Sequence, residues 1–139
     1  ILLVNEEEYK NLSIEYGNLT NDERKIIQEH IVHTKKLLSK LNFPEKLKNV
    51  PSYAGSHHEN INGSGYPSQL KGDEIPLPGR MMAIVDIWEA VTAPDRPYRP
   101  PANDELACKI IREEASNGKL DIDLVELFIN EEIWKNKKA

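Results

Sequence analysis

An all-α fold, a bundle of about five helices closed by one long loop, is predicted by three observations in the sequence. Apolar residues recur at helical spacing in four separate segments. Residues suited to starting and stopping helices bound those segments. The one long stretch without a helical or strand period, residues 59–76, carries Gly63, Gly65, Pro67, Gly72 and Pro76.

Residues 1–19 read as an N-terminal arm, in which Glu6-Glu7-Glu8 followed by Tyr9, Leu12, Ile14 and Tyr16 could form a short helix. The first clear helix starts at Thr20, because Thr20-Asn21-Asp22-Glu23 has the spacing of a capping box. From there Ile27, Ile31, Thr34, Leu38 and Leu41 form one apolar stripe, with His30 and His33 beside it. Pro44 suits the first turn of a second helix, over 44–58 with a break expected at Asn49-Val50-Pro51, which would deliver His57 and His58. A third helix over 78–91, with Met82, Ile84, Val85, Trp88 and Val91, is expected to be central and heavily buried, with Asp86 inside it. Residues 92–99 read as a rigid, proline-bounded turn carrying Arg96 and Arg99. Asn103 is placed to cap a fourth helix over 104–116, with Leu106, Cys108 or Ile110, and Ile111 inward and Gly118 as its stop. Asp121 and Asp123 open a fifth, with Leu124, Val125, Leu127, Phe128 and Ile129. The folded domain is thus expected over 20–131, and 132–139 as a basic, frayed tail.

Composition narrows the function classes. The 139 residues suit one domain with a single core. A net charge of −5 argues against a surface that tracks a nucleic-acid polymer, though not against a small anion held by cations. No apolar run approaches the roughly 18 residues of a membrane span, and no signal peptide is apparent, so no membrane contact is expected and the expected location is cytoplasmic. Cys108, the single cysteine, has no internal disulfide partner and reads as a small core residue. The chain begins at Ile1 without an initiator methionine, which reads as a fragment of something longer.

The chemistry concentrates in residues 55–98. His57 and His58 are adjacent, and at a helix end both rings can turn toward one cavity. Asp86 lies among Ile84, Val85, Ile87 and Trp88, where a buried carboxylate must be paired, hydrogen-bonded or coordinated. An ion would satisfy all three side chains. The competing readings are a partly solvated histidine pair and an aspartate that caps an amide or pairs with Arg80. In the loop, Gly65 would let the backbone approach a ligand closely, Tyr66 offers a ring and a hydroxyl, and Pro67 stiffens the exit. Arg80, Arg96 and Arg99 could each hold phosphate oxygens bidentately, against the alternative of structural salt bridges.

Taken together, His57-His58-Glu59, Gly63-x-Gly65-Tyr66-Pro67, Arg80, Asp86 and Asp95-Arg96-Pro97-Tyr98-Arg99 resemble the C-terminal two-thirds of an HD-GYP domain, a subgroup of the HD metal-dependent phosphohydrolases. The resemblance covers roughly residues 17–129. It implies that His30, in Ile26-Ile27-Gln28-Glu29-His30, joins His57, His58 and Asp86 as metal ligands, and leaves His33 at a helix interface. It further implies two or three divalent ions, with Fe or Mn favoured and Ni or Zn compatible with the ligand type. The implied reaction is hydrolysis of a cyclic dinucleotide, cyclic di-GMP first among them, with Gly65, Tyr66 and Pro67 handling substrate and the loop able to dock diguanylate cyclase (GGDEF) domains, and Arg80, Arg96 and Arg99 are then the candidates for its phosphates. One departure matters: the His-Asp pair that names the family is absent from these residues. Four ligands cannot saturate two ions that prefer five or six donors, so the chain alone is expected to bind metal weakly and to hydrolyse little. A catalytically silent interaction module, or a phosphohydrolase of another nucleotide, are the alternatives.

Overall fold

The computed structural model describes residues 20–94 and 100–135, and among them the fold is all-α. Five α-helices follow in order: α1 Asn21–Leu38, α2 Val50–Ala54, α3 Leu77–Thr92, α4 Asp104–Ser116 and α5 Ile122–Asn130, with 3₁₀ turns at Glu45–Leu47, Gly72–Glu74 and Ile133–Lys135. The expected N-terminal arm, the turn residues 95–99 and the tail residues 136–139 lie outside the described residues.

Local chemistry sets the helix ends. Thr20 Oγ1 accepts from the Glu23 amide while the Glu23 carboxylate accepts from the Thr20 amide at 2.7 Å, the reciprocal box read in the sequence. Asn103 Oδ1 accepts from Leu106 N at 2.9 Å and opens α4. Gly118, at φ +75°, ends it in the left-handed region. Asp121 Oδ1 accepts from the amides of Asp123 and Leu124 and opens α5.

The core lies among α3, α4 and α5, where Ile84, Trp88, Ala107, Ile111, Leu120, Val125 and Phe128 meet. Helix α4 turns Ala107, Ile111 and Ala115 inward and leaves Leu106 49% exposed, so the inward set expected for it is corrected at Leu106. The small side chains at 107 and 115 let the helices approach closely. Ile111 is fully buried, and Ile111→Val should lower unfolding free energy by about 1 kcal/mol through the lost methylene, as read by urea titration. The C-terminal turn adds to this core rather than fraying from Trp134: the Trp134 ring packs 4.5 Å from Trp88, and its Nε1 donates to Asp104 Oδ2 at 2.9 Å.

Helix α1 packs on α2, and of its expected stripe only Ile31 is buried, while Ile27 and Leu41 are exposed. The second helix is shorter than expected. Pro51 sits at its first turn, the preceding segment closes as a 3₁₀ turn, and the backbone leaves the helix at Gly55. His57 and His58 therefore stand on a turn after α2 rather than on a helix. In α3 the expected heavy burial holds for Ile84 and Trp88 but not for Met82 or Val85, which are exposed with Met81 on the opposite face.

Candidate metal centre and its loop

Two elements bring three imidazoles together. His30 comes from the middle of α1, and His57 and His58 from the turn that follows α2, the helix on which α1 rests. One ring nitrogen from each lies within 4.8 Å of the others, a separation that one ion or a close pair could bridge. His57 and His58 are 4.3 Å apart between ring centres, and His30 meets His58 edge-on at 5.3 Å.

The backbone orients two of these rings. His57 Nδ1 donates to the carbonyl of Ala54 at 2.8 Å, and His30 Nδ1 donates to the carbonyl of Ile27. With Nδ1 carrying the proton, the lone pair falls on Nε2, and the carbonyl fixes the ring plane as outer partners of metal-bound histidines do. The surroundings of His58 disfavour its charged form. Burial lowers its basicity first, the neighbouring His57 and His30 lower it further, and Asp86 works in the opposite sense. A neutral imidazole is the form that ligates. The donor set thus fits a divalent ion on its own chemistry.

Asp86 stands apart from the sequence expectation. It is exposed on α3 rather than buried, because the apolar run around it is apolar on both faces of the helix and the core takes Ala83, Ile84 and Trp88. Its carboxylate lies outside the 4.8 Å cluster but lines the same cavity of about 330 Å³ as His57, His58 and Tyr66. A second opening of about 400 Å³ joins His57 and Asp86 to the exposed Met81, Met82 and Val85. His33 is exposed and outside the cluster.

The loop is held against the centre by its own backbone. Tyr66 N donates to the His58 carbonyl at 3.2 Å and the Tyr66 ring stacks on His58 at 5.0 Å, only 17° from parallel. Burial, aided by Asp86, raises the Tyr66 phenol above its ordinary range, so it stays protonated and can donate. The Tyr66-Pro67 peptide is cis. Gly65 is buried where its backbone meets that of residues 58–60. Glu59, only 3% exposed, closes the loop: its two carboxylate oxygens accept from Ser68 N at 2.7 Å and Leu70 N at 3.0 Å. Across the loop, Ile61 N and Asn62 N donate to the carbonyls of Lys119 and Gly118 in the α4–α5 turn. Sequence reading missed Glu59, whose only signal was an acid immediately after the histidine pair.

Arg80 has other partners. Its Nη1 donates to Asp121 Oδ2 at 2.9 Å and to Asp73 Oδ1 at 3.4 Å, tying the start of α3 to the cap of α5. Arg80→Gln should therefore cost about 2 kcal/mol of stability, because Asp121 would keep a largely desolvated charge without its cation. Calorimetric melting checks this. Unchanged stability with a raised KM would instead put Arg80 on a substrate. Arg96 and Arg99 lie outside the described residues.

The HD domain family matches residues 7–124. The chain is 36% identical over 113 residues to 3′3′-cGAMP-specific phosphodiesterase 1 of Vibrio cholerae, covering 81% of this chain and 25% of that protein. It is 38% identical over 114 residues to a cyclic di-GMP phosphodiesterase of Thermotoga maritima, covering 81% of this chain and 30% of that protein. A cyclic di-GMP phosphodiesterase of Vibrio cholerae is 34% identical over 120 residues, with 23% of its length covered. The chain thus spans less than a third of the length of each of these curated relatives.

Proposed function

The chain belongs to the HD domain family, and from that premise we propose that it forms part of a metal-dependent phosphodiesterase that hydrolyses a cyclic dinucleotide. The observation that carries the proposal is the meeting of His30, His57 and His58, the first two oriented by backbone carbonyls, beside a cavity that also presents Asp86 and Tyr66. Two or three divalent ions, Fe or Mn before Ni or Zn, are the proposed cofactor, and His30, His57, His58 and Asp86 the residues that hold it. Bound there, they would supply charge for the phosphoryl oxygens and acidify the attacking water. The protein's own groups do the positioning: the stack on His58 places the Tyr66 phenol beside the centre, and Gly65 and Pro67 hold the backbone that presents it.

Cyclic di-GMP is the first substrate to test and 3′3′-cGAMP the second, since relatives are named for each. The full-length protein, loaded anaerobically with Mn or Fe, should convert one of them to a linear dinucleotide or to GMP, followed by chromatography. Loss of turnover with chelator and its return with metal are expected. A loaded protein that turns over no cyclic dinucleotide overturns the proposal.

One observation favours a second reading. Pro67, Ser68 and Gln69 are exposed at the loop tip, as suits a silent module docking a diguanylate cyclase (GGDEF) domain. Co-purification with such a domain, abolished by changes at the loop tip and unaccompanied by turnover, selects that reading. Among the described residues no helix is long and apolar enough to cross a membrane, and a cytoplasmic location is proposed on the substrate class.

A further inference from the structure

We propose that Lys119 is the cation that binds the second phosphate of the cyclic dinucleotide, the one not being cleaved. The inference rests on the proposed function and deepens it. A cyclic dinucleotide carries two phosphodiester anions, and a metal centre at the imidazole cluster would neutralise the one that reacts. The other must enter a cavity that already holds the Asp86 carboxylate, in a chain with a net charge of −5. With the metal charge committed to the reacting phosphate, the second anion would give up its hydration with no cation of its own to offset it. Among the described residues, Lys119 is the one lysine or arginine that lines this cavity, together with His57, His58, Tyr66 and Asp86.

The surroundings suit the role. The backbone of Lys119 is held on both sides: its amide donates to the Glu114 carbonyl at 3.0 Å, and its carbonyl accepts from Ile61 N at 3.1 Å, at the root of the loop that carries Tyr66. The stem therefore starts from a fixed point relative to His58. Its head is not fixed. Lys119 Nζ lies 2.7 Å from Glu114 Oε2, with the lysine side chain 44% exposed. Solvent screening leaves such a pair about 1 kcal/mol or less, so the ammonium can exchange the carboxylate for a phosphate at little penalty. Lysine, a compact point charge on a flexible stem, suits an anion whose orientation need not be read.

The test uses the full-length, metal-loaded protein and three substitutions. Lys119→Gln should weaken cyclic dinucleotide binding about tenfold by calorimetry and raise KM alike, with kcat changed less than about twofold. Its KM for bis(p-nitrophenyl) phosphate, which has a single phosphodiester, should be unchanged. Glu114→Gln should leave dinucleotide binding unchanged or tighten it, because it frees the ammonium. Were the Lys119–Glu114 pair purely structural, both substitutions would weaken binding together. Lys109→Gln, an exposed lysine on α4 away from the cavity, controls for net charge. Unchanged dinucleotide affinity in Lys119→Gln, or equal losses on both substrates, overturns the inference while leaving the proposed function standing. A parent protein that neither binds nor cleaves a cyclic dinucleotide overturns both.

Discussion

In the full-length protein, on the function proposed for it, His58→Ala should empty the centre of metal and lower cyclic dinucleotide turnover by at least about 100-fold, while leaving the metal-free fold nearly as stable as before. The His58 ring contacts both other imidazoles and the loop tyrosine: His57 at 4.3 Å, His30 at 5.3 Å and Tyr66 at 5.0 Å between centres. Removing it takes away one ligand, the ring against which Tyr66 stacks, and the link between α1 and the α2 turn. The metal-free protein loses little by this, because none of the three rings is buried in the core. The asymmetry can be measured without turnover. Saturating metal at about 100 times its dissociation constant stabilises the fold by about 2.7 kcal/mol, so chelator should lower the parent's melting temperature and leave that of His58→Ala in place. His33→Ala, on the same helix as His30 but outside the cluster, should keep both metal and turnover. Equal metal content in His58→Ala and the parent would dissolve the centre as described here.

How much of this was legible in the sequence depends on the range of the forces involved. The capping box at Thr20, the Asn103 cap and the Gly118 stop were readable, because each is settled within four residues by side-chain and backbone geometry. Burial was less readable. Helix α3 is apolar on both faces, so nothing in its own pattern says that Ile84 and Trp88 turn inward while Met81, Met82, Val85 and Asp86 do not. In α4 hydrophobicity favours Leu106, and the close approach of neighbouring helices selects Ala107 instead. The histidine pair stood out by composition. Its junction with His30 was implied by family resemblance, since residues 27 positions apart share no period. Glu59 and Lys119 escaped because their roles depend on the loop and the α4–α5 turn folding back onto the turn after α2.

Gly65→Ala should reduce turnover about 100-fold in a protein that still folds and still binds metal, because it displaces the loop from the centre without touching a ligand. A Cβ at this position would sit 2.4 Å from Asn60 N and 2.5 Å from both Glu59 Cα and the His58 carbonyl oxygen. All three are backbone atoms, so no side chain can swing aside to make room. Either the 58–60 segment or the Tyr66 segment must move. The first is anchored outside the loop by Ile61 and Asn62 donating to the α4–α5 turn. Among the described residues the second is held only to the 58–60 segment, by Tyr66 N donating to His58 O at 3.2 Å, by the ring stack and by Ser68 and Leu70 N donating to Glu59. It has no anchor of its own on the α4–α5 turn, so Tyr66 is the part that yields. Metal content should therefore match the parent while kcat falls. Gly72→Ala supplies the control: at φ +48° it carries left-handed strain of about 1–2 kcal/mol, yet nothing lies within 4 Å of its added methyl. It should cost stability and spare turnover. If Gly65→Ala instead loses metal in proportion to activity, the loop is bracing the histidines rather than presenting Tyr66, and the phenol drops out of the proposed chemistry.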